Sequence, residues 1–339
     1  MKDWLLLLAA LFLAVPAYAS PQKPGAGVTV QPARANWNTG YFQEALVRAG
    51  LEELGYNVKQ PKELQNALFY QSVALGDVDY WANGWFPMHN TQMPKNFYDH
   101  ASTIGYVMKS GGMQGYLVSK KEVEKYNIKS LDDFKRPEVK KAFDANGDGK
   151  ADLTACETGW GCAKTIQHHF KVYGLEDHVN PITASYTASI ADTLARYKSG
   201  EPVFFYTWAP NWTIFKMKPG EDVMWINVPE IMPREIQKND VDRMSASNVV
   251  GAVSDPVKLG FIAADIRMVA NNEFLAENPA AKKFFELFTL PLADVNEQNT
   301  KMQDGEKSQE DIERHAKQWI AQNLATWKTW IRAARDAAN

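Results

Sequence analysis

Apolar and polar residues alternate over V-T-V-Q (28–31), which reads as a short strand. From Thr39 to Leu54 the apolar positions change to helical spacing, with Phe42, Leu46, Ala49 and Leu54 on one face and Gly55 as a stop. The pattern then begins again. Tyr56-Asn57-Val58 predicts a strand, Lys62 to Ala74 a helix, and V-D-Y-W-A-N-G-W (78–85) a strand running into a loop. This β-α-β-α-β order implies parallel sheet. Q-G-Y-L-V-S (114–119) is a further strand, and the charged, loop-rich stretch after it has the character of a new unit, so a boundary falls near residue 114. Cys162–Tyr173 and Ser189–Ser199 predict helices, and Pro202–Trp208 a strand of β-branched and aromatic residues. Phe261–Ala270 leads into a second helical zone. That zone contains Asn278-Pro279-Ala280-Ala281, with Pro early in a helix where its missing donor costs nothing, and ends in a helix from Ser308 to Ala337. Ile312, Trp319, Leu324, Trp327 and Trp330 recur on one stripe of that last helix and are assigned to core packing.

The first residues do not fit this alternation. Lys2 precedes an apolar stretch from Trp4 to Val15, and Ala17-Tyr18-Ala19 places small residues at −3 and −1 before Ser20. Residues 1–19 therefore read as a secretory signal peptide cleaved after Ala19, too short to be favoured as a membrane anchor. The remaining 320 residues are enough for two domains. Lys plus Arg is 37 against 40 Asp plus Glu, a net charge of −3, so no broad cationic field exists to hold nucleic acid.

Export changes the reading of the two cysteines, Cys156 and Cys162, which bracket E-T-G-W-G. In an oxidising compartment such a close pair is read as a disulfide rather than a redox or metal site. The phosphate-loop, dinucleotide, zinc-protease and nucleophile-elbow motifs do not occur. The 6 histidines are scattered, with no i, i+4 pair, so no metal or cofactor is expected. Tryptophan is the anomaly, with 11 in the chain. Trp85 in N-G-W-F-P-M-H, Trp160 in T-G-W-G-C and Trp208 in Y-T-W-A-P-N-W lie beside Gly, Pro or Cys at the ends of predicted elements. Strand ends are where an open α/β sheet binds ligands, and three such contexts point to an aromatic site.

At these residues the chain resembles the periplasmic glycine betaine/proline betaine-binding proteins of osmoprotectant ABC importers. The resemblance spans nearly the whole mature chain and includes F-D-A-N-G-D-G-K-A-D-L-T-A-C-E-T-G-W-G-C, R-Y-K-S-G-E-P-V-F-F-Y-T-W-A-P and N-P-A-A-K-K-F-F-E-L-F-T-L-P-L-A-D-V-N. It implies an α/β, type II periplasmic binding protein fold: two α/β lobes joined by two hinge crossings, with lobe 1 formed by 26–113 plus 268–339 and lobe 2 by 114–267. It implies no enzymatic activity, a monomer, and a membrane permease as partner. Carried over position by position, it makes Trp85, Trp160 and Trp208 the cage for a quaternary ammonium. His89 then binds the ligand's carboxylate, together with the backbone donors of Gly161 and Cys162. Trp37, in A-R-A-N-W-N-T-G, departs from the family pattern and is either a further wall or a packing residue.

Physical chemistry agrees with that cage. A trimethylammonium group carries charge but no N–H, so the negative faces of indoles suit it better than a carboxylate does. A helix starting near Cys162 would aim its positive end at the ligand's anionic end. Choline, carnitine or a carbohydrate are the alternative ligands, and an exported hydrolase is the alternative from another class. Sugar sites usually add side chains that fork hydroxyls, and the three Trp motifs are poor in these. Asp144, Asn146, Asp148, Gly149 and Asp152 resemble the start of a calcium loop, but Ala155 stands where the bidentate Glu would be, so a structural turn is the preferred reading.

Overall fold

One long strand ties the molecule together in the computed structural model, which describes residues 22–339; the expected leader, 1–19, lies outside the described residues. The central sheet has 7 strands. They are β1 (Tyr80–Phe86), β2 (Ala101–Ser119), β3 (Ala151–Thr154), β4 (Val179–Ile182), β5 (Phe204–Ala209), β6 (Val223–Ile226) and β7 (Ala264–Asn271). Their order is β1-β7-β2-β5-β3-β4, with β6 also paired to β2. From Ala101 to Gly112, β2 runs antiparallel to β7; from Met113 onward its partners are β5 and β6. The result is two α/β lobes, crossed once by β2 and once by the chain returning into β7.

The sheet is mixed, which corrects the expectation of parallel pairing. Parallel pairing holds for β3 with β4 and β5, and for two short pairs, Thr29–Val30 with Asn57–Val58 and Ala33–Arg34 with Lys62–Glu63. The returning chain inserts β7 antiparallel between β1 and β2, so the opening β-α-β-α-β run does not build the sheet by itself. Residues 264–271 are thus a buried strand rather than an approach to helices. The strand expected at Gln114 also begins much earlier, at Ala101.

Helices pack around this sheet, among them α1 (Tyr41–Glu53), α2 (Asn66–Leu75), α3 (Gly161–Val172), α4 (Tyr186–Lys198), α5 (Pro279–Leu287), α6 (Gln309–Gln322) and α7 (Leu324–Asp336). Of the stripe expected in α1, Phe42 and Leu46 are buried and Ala49 is half-buried, and Leu54, at the C-cap, is buried as well. Gly50 lets α1 approach α5 closely, because a Cβ there would fall 2.5 Å from Phe284 Cε1. The helix expected from Lys62 starts at Asn66, since Lys62 and Glu63 are extended. The last helix is two: a Ser308/Asp311 capping box starts α6, and the chain breaks at Asn323 before α7. Trp319, Trp327 and Trp330 are buried, with the Trp330 ring centroid 6.2 Å from each of the other two, whereas Leu324, assigned to the same stripe, is exposed just past the break. No helix among the described residues is long and apolar enough to cross a membrane.

Candidate functional site

Trp85 lies near the end of β1, in a strand whose seven residues are all buried. The 3-10 turn Met88–Gln92 follows and brings His89 back toward the Trp85 backbone. From the other lobe, Trp160 caps the N-terminus of α3, and Trp208 stands near the end of β5 on the same face as Tyr206 two residues earlier. These elements converge on one cavity, lined by Trp85, His89, Trp160, Gly161, Cys162 and Trp208. All six positions singled out in the sequence are brought together. The lining also includes Trp37, Asn66, Met88, Gln114 and Tyr206, and it contains no Asp or Glu.

The indoles are held in place individually. Asn83 Oδ1 accepts from Trp85 Nε1 at 2.8 Å and from Trp37 Nε1 at 3.0 Å, so one buried amide orients two rings. Trp160 lies 5.2 Å from Trp37 and 5.6 Å from Trp208, centroid to centroid, edge to face in both pairs. Tyr186, from the start of α4, packs behind both Trp160 and Trp208. Gly112 has no side chain because a Cβ would meet Trp85 Cζ3 at 2.6 Å. Trp37 is therefore a wall of the cavity and a packing residue at once.

The polar end lies at α3. Gly161 and Cys162 are its first two residues, so helix geometry leaves their N–H groups without an intrahelical acceptor, at the positive end of the helix dipole. The Cys156–Cys162 disulfide is formed, with Cα atoms 6.4 Å apart, and ties the first turn of α3 to the end of the preceding strand. Across the cleft, Trp160 Nε1 donates to Asn36 Oδ1 and Asn36 Nδ2 donates to Glu157 Oε2, both at 2.9 Å. Gln92 Nε2 donates to the Gly159 carbonyl at 3.0 Å. The lobes are closed on each other.

The Asp144–Asp152 segment uses its carboxylates on its own backbone. Asp144 accepts from the N–H groups of Asp148 and Gly149, and Asp152 from those of Ala145 and Asn146. This is the structural turn expected from an Asp/Asn/Gly run.

Burial pushes His89 down from 6.5 to about 3, and the same desolvation holds His169 of lobe 2 at about 3 despite its bond to the Gly260 carbonyl. Both are neutral at physiological pH. Between about pH 6.5 and 3 the unfolded chain takes up protons at these positions and the folded protein does not. Their contribution to stability is therefore complete above pH 6.5 and is lost as pH falls through that window, by up to about 1.4 kcal/mol per pH unit for each. His169→Gln keeps a donor for Gly260 and lies outside the cavity. Denaturant titrations of this variant at pH 6.5 and 5 are expected to show a smaller loss of stability than the wild type; equal losses would contradict the assignment.

Asn36, Asn66, Asn83, Gln114 and Tyr206 went unmarked in the sequence. Only Tyr206 left a signal, its i, i+2 spacing to Trp208 in a strand. The others are isolated amides: apart from the bond between Asn83 and Trp85 two residues on, their partners lie 23 or more positions away along the chain.

Residues 28–322 match the family described as the substrate binding domain of ABC-type glycine betaine transport systems. The chain is 42% identical over 322 residues to the glycine betaine-binding periplasmic protein OusX of Dickeya dadantii, covering 95% of this chain and 94% of that one. It is 38% identical over 320 residues to the glycine betaine/proline betaine-binding periplasmic protein of Escherichia coli, covering 93% and 92%. In fold it is similar to lactococcal OpuAC in a closed conformation with glycine betaine, at a TM-score of 0.67 and 21% identity over 90% of this chain and 99% of that one. A choline-binding protein in complex with choline gives a TM-score of 0.65 at 18% identity, over 94% and 100%. The chain belongs to the family of substrate-binding domains of ABC-type glycine betaine transport systems.

Proposed function

We propose that this protein captures glycine betaine, or a related quaternary-ammonium zwitterion such as proline betaine, between its lobes and delivers it to the membrane permease of an ABC importer. It works in the periplasm as a monomer, after removal of the leader behind Ala19. Residues 26–113 plus 268–339 form one lobe and 114–267 the other. Trp85, Trp160 and Trp208 face the trimethylammonium group, with Trp37 as a fourth ring. His89 and the N–H groups of Gly161 and Cys162 take the carboxylate.

The observation that carries this reading is that indoles from both sides of the cleft meet in one cavity without acidic residues, beside the N-terminus of α3. Each desolvated ring contributes about 1–2 kcal/mol to a cation, so three supply a large part of the roughly 8 kcal/mol of a micromolar complex. Charge-assisted donors at the helix N-terminus supply the rest. A ligand that touches both lobes stabilises only the closed form, which is what a permease can distinguish from the empty protein.

Titration calorimetry with glycine betaine and choline separates the two halves of the site. The expected outcome is one-to-one micromolar binding of betaine and weaker binding of choline, which has no carboxylate. No heat with any betaine would refute the reading, and tighter binding of choline would refute the anionic subsite.

A further inference from the structure

Asn66, the first residue of α2, is fully buried, lines the cavity, and has an unpartnered Oδ1. Its Nδ2 donates to Gln92 Oε1 at 2.8 Å and lies 3.0 Å from His89 Nε2. The direction of this chain is fixed at its far end. The Gly159 carbonyl can only accept, so Gln92 must turn its NH₂ toward it, and its oxygen then faces Asn66. Asn66 must in turn present its NH₂ to both Gln92 and His89.

The polarity of the imidazole is fixed from its other side. Nδ1 receives the backbone N–H of Trp85 at 3.2 Å and lies 2.8 Å from the Tyr70 hydroxyl. A backbone N–H cannot reverse, so Nδ1 accepts. The ring is neutral, and its single proton is on Nε2. Two N–H donors, on His89 Nε2 and Asn66 Nδ2, therefore face each other at the cavity wall 3.0 Å apart. Buried donors without an acceptor are costly, and one anionic oxygen placed beside the pair serves both.

We propose that Asn66 and His89 form a two-donor clamp on one carboxylate oxygen of the ligand, and that Gln92 is the positioning residue that sets the clamp when Gly159 closes onto it. With the lobes apart, the Gly159 acceptor is withdrawn and both amides are free to turn. Asn66 Oδ1 can then accept from His89 Nε2, which dissolves the donor pair. The clamp exists only in the closed protein and so adds to the coupling between ligand and closure. This inference rests on the zwitterion reading above and deepens it by assigning a donor from α2.

The test measures glycine betaine affinity by calorimetry for wild type, Asn66→Ala and Asn66→Asp, alongside their thermal unfolding without ligand. Loss of one hydrogen bond to a charged acceptor weakens binding about tenfold to a hundredfold in Asn66→Ala. Asn66→Asp, which sets a carboxylate against a carboxylate, weakens it further. Side-chain amide resonances of Asn66 in the wild type are expected to move on adding betaine, and to move less in Gln92→Leu. A folded Asn66→Ala protein that binds betaine within twofold of wild type would overturn the clamp, and so would Asn66 amide signals in the wild type that betaine leaves unmoved. An equal response in Gln92→Leu would remove Gln92 from it. Failure of the wild type to bind betaine at all would instead overturn the functional reading itself.

Discussion

Trp160→Ala is expected to weaken glycine betaine binding by about thirtyfold to a hundredfold. The loss has two sources. One is the ring face itself, worth roughly 1–2 kcal/mol to a desolvated quaternary ammonium. The other is closure. Trp160 Nε1 donates across the cleft to Asn36, and its ring rests edge to face against Trp37 of the opposite lobe. Losing that hydrogen bond costs about another 1 kcal/mol of closed-state stability, and 1.4 kcal/mol is tenfold in affinity. The substitution leaves the first turn of α3 tied by the Cys156–Cys162 disulfide, so the backbone donors stay in place and the effect reports on the ring. Calorimetry on the variant decides it: affinity within threefold of wild type would remove Trp160 from the cage.

Stripping methyl groups from the ligand is expected to have a larger effect, with glycine binding at least about a thousandfold more weakly than glycine betaine. Dimethylglycine and sarcosine should fall between them in that order. Each methyl removed exposes an N–H that must leave water, and a buried donor without an acceptor costs about 1–3 kcal/mol. The cavity offers little in return. It has no acidic lining; of the two amide oxygens on its lining residues, Gln114 Oε1 already accepts from the Tyr206 hydroxyl at 2.6 Å, and Asn66 Oδ1 belongs to the side chain beside His89, the end assigned to the carboxylate. The site therefore selects for what the cation lacks. Competition titrations against bound glycine betaine measure the series; glycine displacing it at similar concentrations would contradict a cage of ring faces.

How far the sequence disclosed this site depended on whether each signal was local. Trp85, Trp160 and Trp208 stood out together: packing alone would explain any one of them, but three in similar contexts beside Gly, Pro or Cys, off any helical stripe, point to an aromatic site. The disulfide could be read from its short loop. Strand β2 was only half legible. Gly105, Gly111 and Gly112 break the alternation over Ala101–Met113, yet Gly112 is needed because Trp85 packs where its side chain would be. Strand β7 precedes a helix-rich stretch, and only its place between β1 and β2 makes it a strand. Asn36, Asn66 and Gln92 were silent for another reason. Their meaning lies in contacts with Trp160, His89 and Gly159, which are supplied by folding and closure rather than by any spacing along the chain.

The central claim is that indoles from both lobes enclose the cation while the start of α3 holds the anion. A crystal structure of the protein with glycine betaine bound measures this directly. The account predicts the quaternary nitrogen within about 6 Å of the ring centroids of Trp85, Trp160 and Trp208, with the carboxylate on the N–H groups of Gly161 and Cys162. Betaine bound elsewhere, or with its carboxylate turned toward the rings, would contradict it.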